Sequence, residues 1–218
     1  MLHPGLKKTD EYRQSEIKLQ LSKDNRFPDW DTLYKQDVST MPWYNKNLDS
    51  DLEHEIKKRK ISKGRFLDLG TGPGTQAILL AKMGFAVTGT DLSPNAIRKA
   101  QRLNATINFL VDDILNSKLG KDSFDYILDR GCFHVLQNDK WDQYAKTIHH
   151  ILDKNGLFFL KCFSTKEEKL TYGPYRFSKQ DIKNIFEKYF VIQSITETVY
   201  QGTLNPYPKA LFAVMNKK

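Results

Sequence analysis

Cysteine is scarce in this chain: Cys132 and Cys162 are the only two among 218 residues. Two thiols build no disulfide framework, and no C-x-x-C or Cys/His spacing marks a metal site. Long apolar runs are also missing. No window approaches the roughly 18 consecutive apolar residues of a membrane-crossing helix. Met1 to Asp10 holds no apolar stretch of the kind found in secretion signals. These gaps lead to the expectation of a cytoplasmic, metal-free protein with no membrane partner. There is no internal repeat and no low-complexity tract. Acids are outnumbered, 26 against 34 Lys and Arg, giving a net charge of +8. Such an excess can attract nucleic acid or acidic substrates. The main basic run, Lys57-Lys58-Arg59-Lys60, follows Leu48, Leu52 and Ile56, an every-fourth apolar spacing that predicts a helix. Cations at a helix C-terminus are favoured by the macrodipole. No stacking platform of interleaved aromatic and basic residues accompanies them. Nucleic acid is therefore not the expected partner.

What the chain does hold is concentrated in Arg65-Phe66-Leu67-Asp68-Leu69-Gly70-Thr71-Gly72-Pro73-Gly74-Thr75-Gln76. An apolar strand runs into an acid, then glycines at alternate positions, then a helical pattern. Glycines so spaced let the main chain turn sharply and approach a ligand that side chains would exclude. Asp91 follows Gly70 by 21 residues, at the end of a second apolar run, Phe85-Ala86-Val87-Thr88-Gly89-Thr90. An acid there is placed to accept hydrogen bonds from ribose hydroxyls, so the ligand should contain a nucleoside. The dinucleotide fingerprint G-x-G-x-x-G does not fit, because the second gap is one residue short. Asp68, just before the first glycine, suits an ammonium group rather than a phosphate.

Apolar runs alternate with helical patterns from residue 65 onward, which argues for an α/β fold: a parallel sheet with helices on both faces. The predicted strands are Arg65 to Leu69, a run ending at Asp91, Ile107 to Val111, Phe124 to Leu128, Leu157 to Phe163, Phe190 to Thr198 and Ala210 to Met215. Ser93-Pro94 reads as an N-cap and first-turn proline. Ser178 with Asp181 reads as a capping box. Asn155-Gly156 reads as a turn between a helix over Trp141 to Leu152 and the fifth strand. Residues 1–60 are polar, predicted helical, and read as an N-terminal cap or lid. Residues 61–218 form the ligand-binding domain.

The stretch from Asp68 to Gly74 resembles motif I of the class I S-adenosylmethionine-dependent methyltransferases, and the likeness extends over roughly residues 28–216. The resemblance implies a Rossmann-like, seven-stranded, mostly parallel sheet with its last strand antiparallel. It also implies S-adenosylmethionine as cofactor. On that basis Asp68, Gly70, Thr71, Gly72 and Gly74 surround the methionyl part. Asp91 takes the ribose, Leu92 an apolar face of adenine, and Ile114 lines the adenine pocket. The family places an acid after the third strand for the adenine amino group. Asp113 matches that position better than Asp112, and either acid can serve as a turn cap. Asp129-Arg130-Gly131-Cys132-Phe133-His134 resembles motif IV of the thiopurine and tellurite-resistance-type small-molecule enzymes. Asp129 and Arg130 would then face the methyl group and the acceptor, with Asp129 or His134 as candidate base. Asp129 can equally be a structural ion-pair partner, and His134, set among Phe133, Val135 and Leu136, a core histidine. Cys132 reads as packing.

Trp30, Tyr34, Met41, Pro42, Trp43 and Tyr44 crowd the N-terminal segment, a density that suggests a lid or pocket wall. Related enzymes often carry a Pro-Trp pair here, so Trp43 is the expected cofactor contact outside the sheet; an aromatic staple is the alternative. Tyr172 to Phe177 is a candidate substrate loop. Asn205-Pro206-Tyr207-Pro208 resembles the N-P-P-Y motif of amino-methylating nucleic-acid enzymes, in the wrong order and the wrong place, and reads as a turn. The expected activity is in-line methyl transfer to the S, O or N atom of a small-molecule acceptor, by a monomer or weak dimer. The alternative is a nucleic-acid or protein methyltransferase recruiting its substrate through the basic surface.

Overall fold

Strand β1 (Arg65–Leu69) is exposed only at its first residue. A strand buried on both faces reads as a continuous apolar run, and parallel pairing requires such burial. Strands β2 (Ala86–Asp91), β3 (Asn108–Val111), β4 (Phe124–Arg130) and β5 (Leu152–Ser164) extend the parallel sheet around it. A two-residue β6 (Arg176–Phe177) pairs with β5, off the main path. Strands β7 (Phe190–Val199) and β8 (Lys209–Lys217) close the other side, β8 antiparallel to both β5 and β7. The order is β3-β2-β1-β4-β5-β8-β7, the expected seven-stranded path with β6 as an addition. The computed structural model describes Phe27 and residues 29–168 and 173–218. Residues 1–10 and Tyr172, singled out in the sequence, lie outside the described residues.

The helices are α1 (Trp30–Leu33), α2 (Ser50–Lys58), α3 (Thr75–Lys82), α4 (Pro94–Leu103), α5 (Trp141–Ile151) and α6 (Lys179–Phe186). Alternate residues of each central strand feed opposite cores, as the period-2 pleat demands. Leu67, Ile127, Phe158 and Leu160 face Tyr144, Ile148 and Ile151 of α5 and Phe186 of α6. Phe66, Leu128, Phe159 and Phe212 face Leu52 and Ile56 of α2 and Leu80 of α3. Ser93 caps α4 by accepting from the Ala96 N–H, and Ser178 with Asp181 forms the full capping box of α6. The expected turn at Asn155-Gly156 does not lead into the fifth strand, which already begins at Leu152. Leu152 pairs with Phe124 and Leu157 with Tyr126, so the intervening residues bulge and β5 continues through them.

Strand order reverses at β1, whose neighbours are β2 and β4. In the register, Leu69 at the end of β1 lies between Thr90 and Asp129. Three carboxyl ends thus meet in one row, at the switch point where open α/β sheets bind ligands. The segment before β1 lies against the same ends. Asp31 of α1 accepts from Ser93 Oγ and the Asn95 N–H, both at 2.8 Å, at the N-terminus of α4. Asp49, the N-cap of α2, accepts from Arg130 Nε at 3.0 Å and Lys161 Nζ at 2.7 Å. Among the described residues no helix is long and apolar enough to cross a membrane.

Candidate active site

The glycine loop is shaped by close approach. Gly72 has φ +54°, and a Cβ added there would stand 2.7 Å from the Tyr34 hydroxyl. At Gly74, with φ +80°, it would stand 2.7 Å from the Phe109 ring. L side chains rarely adopt such φ values, and neither position has room for one. Three of the loop's own amides are engaged: Thr71 N–H on Thr90 O, Gly72 N–H on Asp91 Oδ2 and Gly74 N–H on Thr71 O.

Two buried acids flank this loop. Asp68 Oδ2 accepts from Thr71 Oγ1 at 2.5 Å and from the Ala77 N–H at 3.1 Å. Asp91 accepts from Gly72 N–H and from Ser93 N–H, both at 2.9 Å. Desolvation outweighs these donors and pushes each carboxyl up to about 6.

Of the expected site residues, Asp68, Gly70, Thr71, Gly72, Trp43 and Arg130 line one cleft. Tyr34, Met41 and Tyr44 supply walls that the sequence did not single out as ligand contacts. Arg130 does not present a free guanidinium. Its Nε donates to Asp49, its Nη1 to Trp43 O at 3.0 Å and its Nη2 to Gln201 O. It also lies over the Tyr200 ring, 4.5 Å from the centroid. Arg130 therefore pins the N-terminal segment and the 201 loop to the end of β4. Trp43 both lines the cleft and packs edge-on against Trp30, at 5.8 Å between centroids.

Asp129 and His134 are placed otherwise than expected of groups acting on an acceptor. Asp129 is wholly buried. Its Oδ1 accepts from the Gly131 and Cys132 N–H groups, and its Oδ2 from the Phe133 N–H and the Tyr144 hydroxyl. That is the work of a turn anchor; burial raises its pKa to about 6 despite these donors. The alternative of an ion pair with Arg130 is not what forms, since Arg130 pairs with Asp49. His134 is buried against Phe163 and Tyr200, and its Nδ1 accepts from the Phe163 N–H at 3.3 Å. Burial lowers its pKa to about 3, so it is neutral at physiological pH and its basic nitrogen is already taken. Cys132 packs against the α5-side core, with its thiol pushed well up by burial.

At the end of β3 the two acids divide. Asp113 caps the short 3-10 turn Ile114–Asn116, accepting from the Leu115 N–H at 3.0 Å and Asn116 Nδ2 at 2.8 Å. Asp112 Oδ1 accepts from the Lys118 N–H, while its Oδ2 is buried without a partner among the described residues. Ile114 joins the core and does not line the cleft, whereas Leu92 is 58% exposed beside Asp91. Phe177 of the expected substrate loop stacks on Phe133 at 4.8 Å, which makes that part of the loop packing. Tyr207 is exposed between β7 and β8, away from the cleft lining.

Comparison with known proteins agrees with this geometry. A methyltransferase-domain family profile matches residues 66–156. Human EEF1A lysine methyltransferase 2 is 30% identical over 163 residues, which cover 65% of this chain and 69% of that enzyme. A solved structure concerned with conversion of a disulfide bond into a thioacetal group during echinomycin biosynthesis superposes with TM-score 0.74. It is 23% identical, covering 87% of this chain and 91% of the other. The Burkholderia thailandensis 1,6-didemethyltoxoflavin-N1-methyltransferase, solved with S-adenosylhomocysteine, superposes with TM-score 0.65. It is 17% identical, covering the whole of this chain and 92% of the other. The cofactor is S-adenosylmethionine, and the site fits it in kind. Two buried carboxyls suit an ammonium and ribose hydroxyls, bare main chain suits a bulky thioether, and an unspent carboxylate oxygen suits an exocyclic amine. The chain belongs to the class I S-adenosylmethionine-dependent methyltransferases.

Proposed function

We propose that this enzyme methylates a small-molecule acceptor held beneath the segment 29–49, with residues before 61 serving as a cap on the domain that follows. One observation carries the reading. The cleft is roofed by the chain's own N-terminal segment, fastened through the Arg130 hydrogen bonds to Asp49 and Trp43 O and walled by Tyr34, Trp43 and Tyr44. A space enclosed in this way admits a compact, largely apolar acceptor and excludes water.

In this reading Asp68 holds the methionyl ammonium, the Gly70–Gly74 main chain lies against the thioether, and Asp91 accepts from the ribose. Leu92 covers a face of adenine. Asp112, with its spare oxygen, replaces Asp113 as the acceptor for the adenine amino group. The bound cofactor supplies an already activated methyl. What the residues then contribute is alignment of acceptor and methyl in a dry space. Among the described residues Asp68 is the one acid of the cleft lining. With Asp129 and His134 occupied elsewhere, no residue of the cleft lining, among the described residues, is free to serve as a strong general base. The acceptor therefore brings its own nucleophile, such as a thiolate or an unprotonated amine.

A second reading, methylation of a protein lysine, is favoured by the likeness to EEF1A lysine methyltransferase 2. Supplying methyl-labelled S-adenosylmethionine with a panel of thiols, amines and phenols, and in parallel with purified elongation factor 1A, separates the two. Label in a small product with matching S-adenosylhomocysteine formation is the expected result. Label in the protein alone refutes the small-molecule reading. Calorimetry with S-adenosylhomocysteine tests the adenine assignment. Asp112→Ala should weaken binding about tenfold. Asp113→Ala should cost about 1 kcal/mol of stability through the lost cap and leave affinity alone. The reverse pattern restores Asp113.

A further inference from the structure

We propose that Tyr34 is a cofactor-binding residue, its phenol O–H donating to the carboxylate at the methionyl end; this rests on the reading of the glycine loop given above. Tyr34 reaches the loop from outside the sheet. It is buried, and its hydroxyl occupies the space directly over bare Gly72. It also lines the cleft together with Asp68.

The methionyl end is a zwitterion, so it needs an acceptor and a donor side by side. Asp68 is the acceptor. The donor is harder to find in the loop itself. The amides of Thr71, Gly72 and Gly74 are already committed, Pro73 has none, and the Thr71 hydroxyl is spent on Asp68. Arg130 has Nε, Nη1 and Nη2 each engaged by a protein oxygen. The Tyr34 hydroxyl stands over the middle of the loop, where a Gly72 Cβ would lie only 2.7 Å from it, and faces the same cleft as Asp68. Burial, joined by the neighbouring charges of Asp91 and Asp68 and only partly offset by a hydrogen bond with Trp43, raises its pKa well above the ordinary tyrosine value, so it keeps its proton.

Its position is fixed twice. Tyr34 directly follows α1, and its N–H donates to Trp30 O at 3.0 Å. Asp31 of the same helix grips Ser93 and Asn95 at the start of α4, and the Ser93 N–H donates to Asp91. Leu33, Met41 and Ala96 pack around the ring. A side chain held this firmly needs little ordering when a ligand arrives.

The test compares two ligands by calorimetry on the full chain: S-adenosylhomocysteine, and 5′-methylthioadenosine, which lacks the aminoacyl end. Tyr34→Phe keeps the ring and removes only the hydroxyl. It should bind S-adenosylhomocysteine about tenfold more weakly and methylthioadenosine as the parent does. Unchanged affinity for both ligands, or an equal loss for both, overturns the proposal. Failure of the unaltered protein to bind S-adenosylhomocysteine at all overturns the reading of the loop instead.

Discussion

Cofactor affinity should fall as pH drops from 7 to 5, and the size of the fall follows from two carboxyls. Asp68 and Asp91 are each pushed up to about 6 from an ordinary 3.8, chiefly by desolvation. A ligand that brings an ammonium to one and hydroxyl donors to the other favours their charged forms. An acid with a pKa of about 6 is about one-tenth protonated at pH 7 and about nine-tenths protonated at pH 5. If the bound state restores a pKa near 3.8, affinity drops about tenfold per acid over that interval, or about 1.4 kcal/mol. Both acids together would give about a hundredfold. The sign for the unliganded fold is opposite. A raised folded-state pKa contributes stability that is fully present below 3.8 and lost as pH rises through 6. Acid thus helps the empty fold in the window where it weakens the complex. Titration calorimetry with S-adenosylhomocysteine at pH 5, 6 and 7, in buffers of different ionisation enthalpy, should show proton release on binding. Affinity that is flat, or that strengthens toward pH 5, refutes the assignment of these acids.

Asp129→Ala should leave three amides and the Tyr144 hydroxyl without their acceptor, costing on the order of 3–5 kcal/mol in a denaturant melt; a normal melt with lost turnover would mean that Asp129 acts on the acceptor after all. Lys161 Nζ donates to both Asp49 and Asp51 at 2.7 Å, so Lys161→Met should strand the two acids beside one fewer cation, at a cost of about 3 kcal/mol, and an unchanged urea midpoint would refute the view that Lys161 is what compensates these acids.

Features fixed by neighbours in sequence were legible. The Ser93-Pro94 cap and the Ser178/Asp181 box each need only three residues of context, and both form as read. β1 runs over the residues expected, because burial on both faces writes an unbroken apolar run. Features fixed by distant partners were not legible. Arg130 meets Asp49 across 81 positions, and Lys161 meets Asp49 across 112, so no local pattern signals either pair. A cation at the end of β4 therefore looked like an acceptor contact. Asp129 misled for a related reason. An acid at a strand end reads the same whether its oxygens face a ligand or turn back onto the next three amides. Asp112 and Asp113 posed the same problem in miniature, decided by which of them begins the Ile114–Asn116 turn. Tyr34 was visible only as one aromatic in a crowd, because the spacing of Gly72 does not say what fills the space above it.

The attachments of the N-terminal segment act on the charge of the acids beside it. Asp31 holds Ser93, and the Ser93 N–H donates to Asp91, so the latch and this buried acid share one turn. The Asp31 charge itself raises the Asp91 pKa. Tyr34 covers the glycine loop between the two acids, and Arg130, whose charge lowers the Asp68 pKa, is the same group that ties down Trp43 and the 201 loop. Burial drives both carboxyls up, and two groups that pin the segment, Arg130 and Asp31, are charges that modulate them. Proton affinity at Asp68 and Asp91 is consequently coupled to the attachment of the segment through Arg130 and Asp31. A change that lifts the segment returns Asp68 and Asp91 toward ordinary acids and, by the same step, opens the cleft to water.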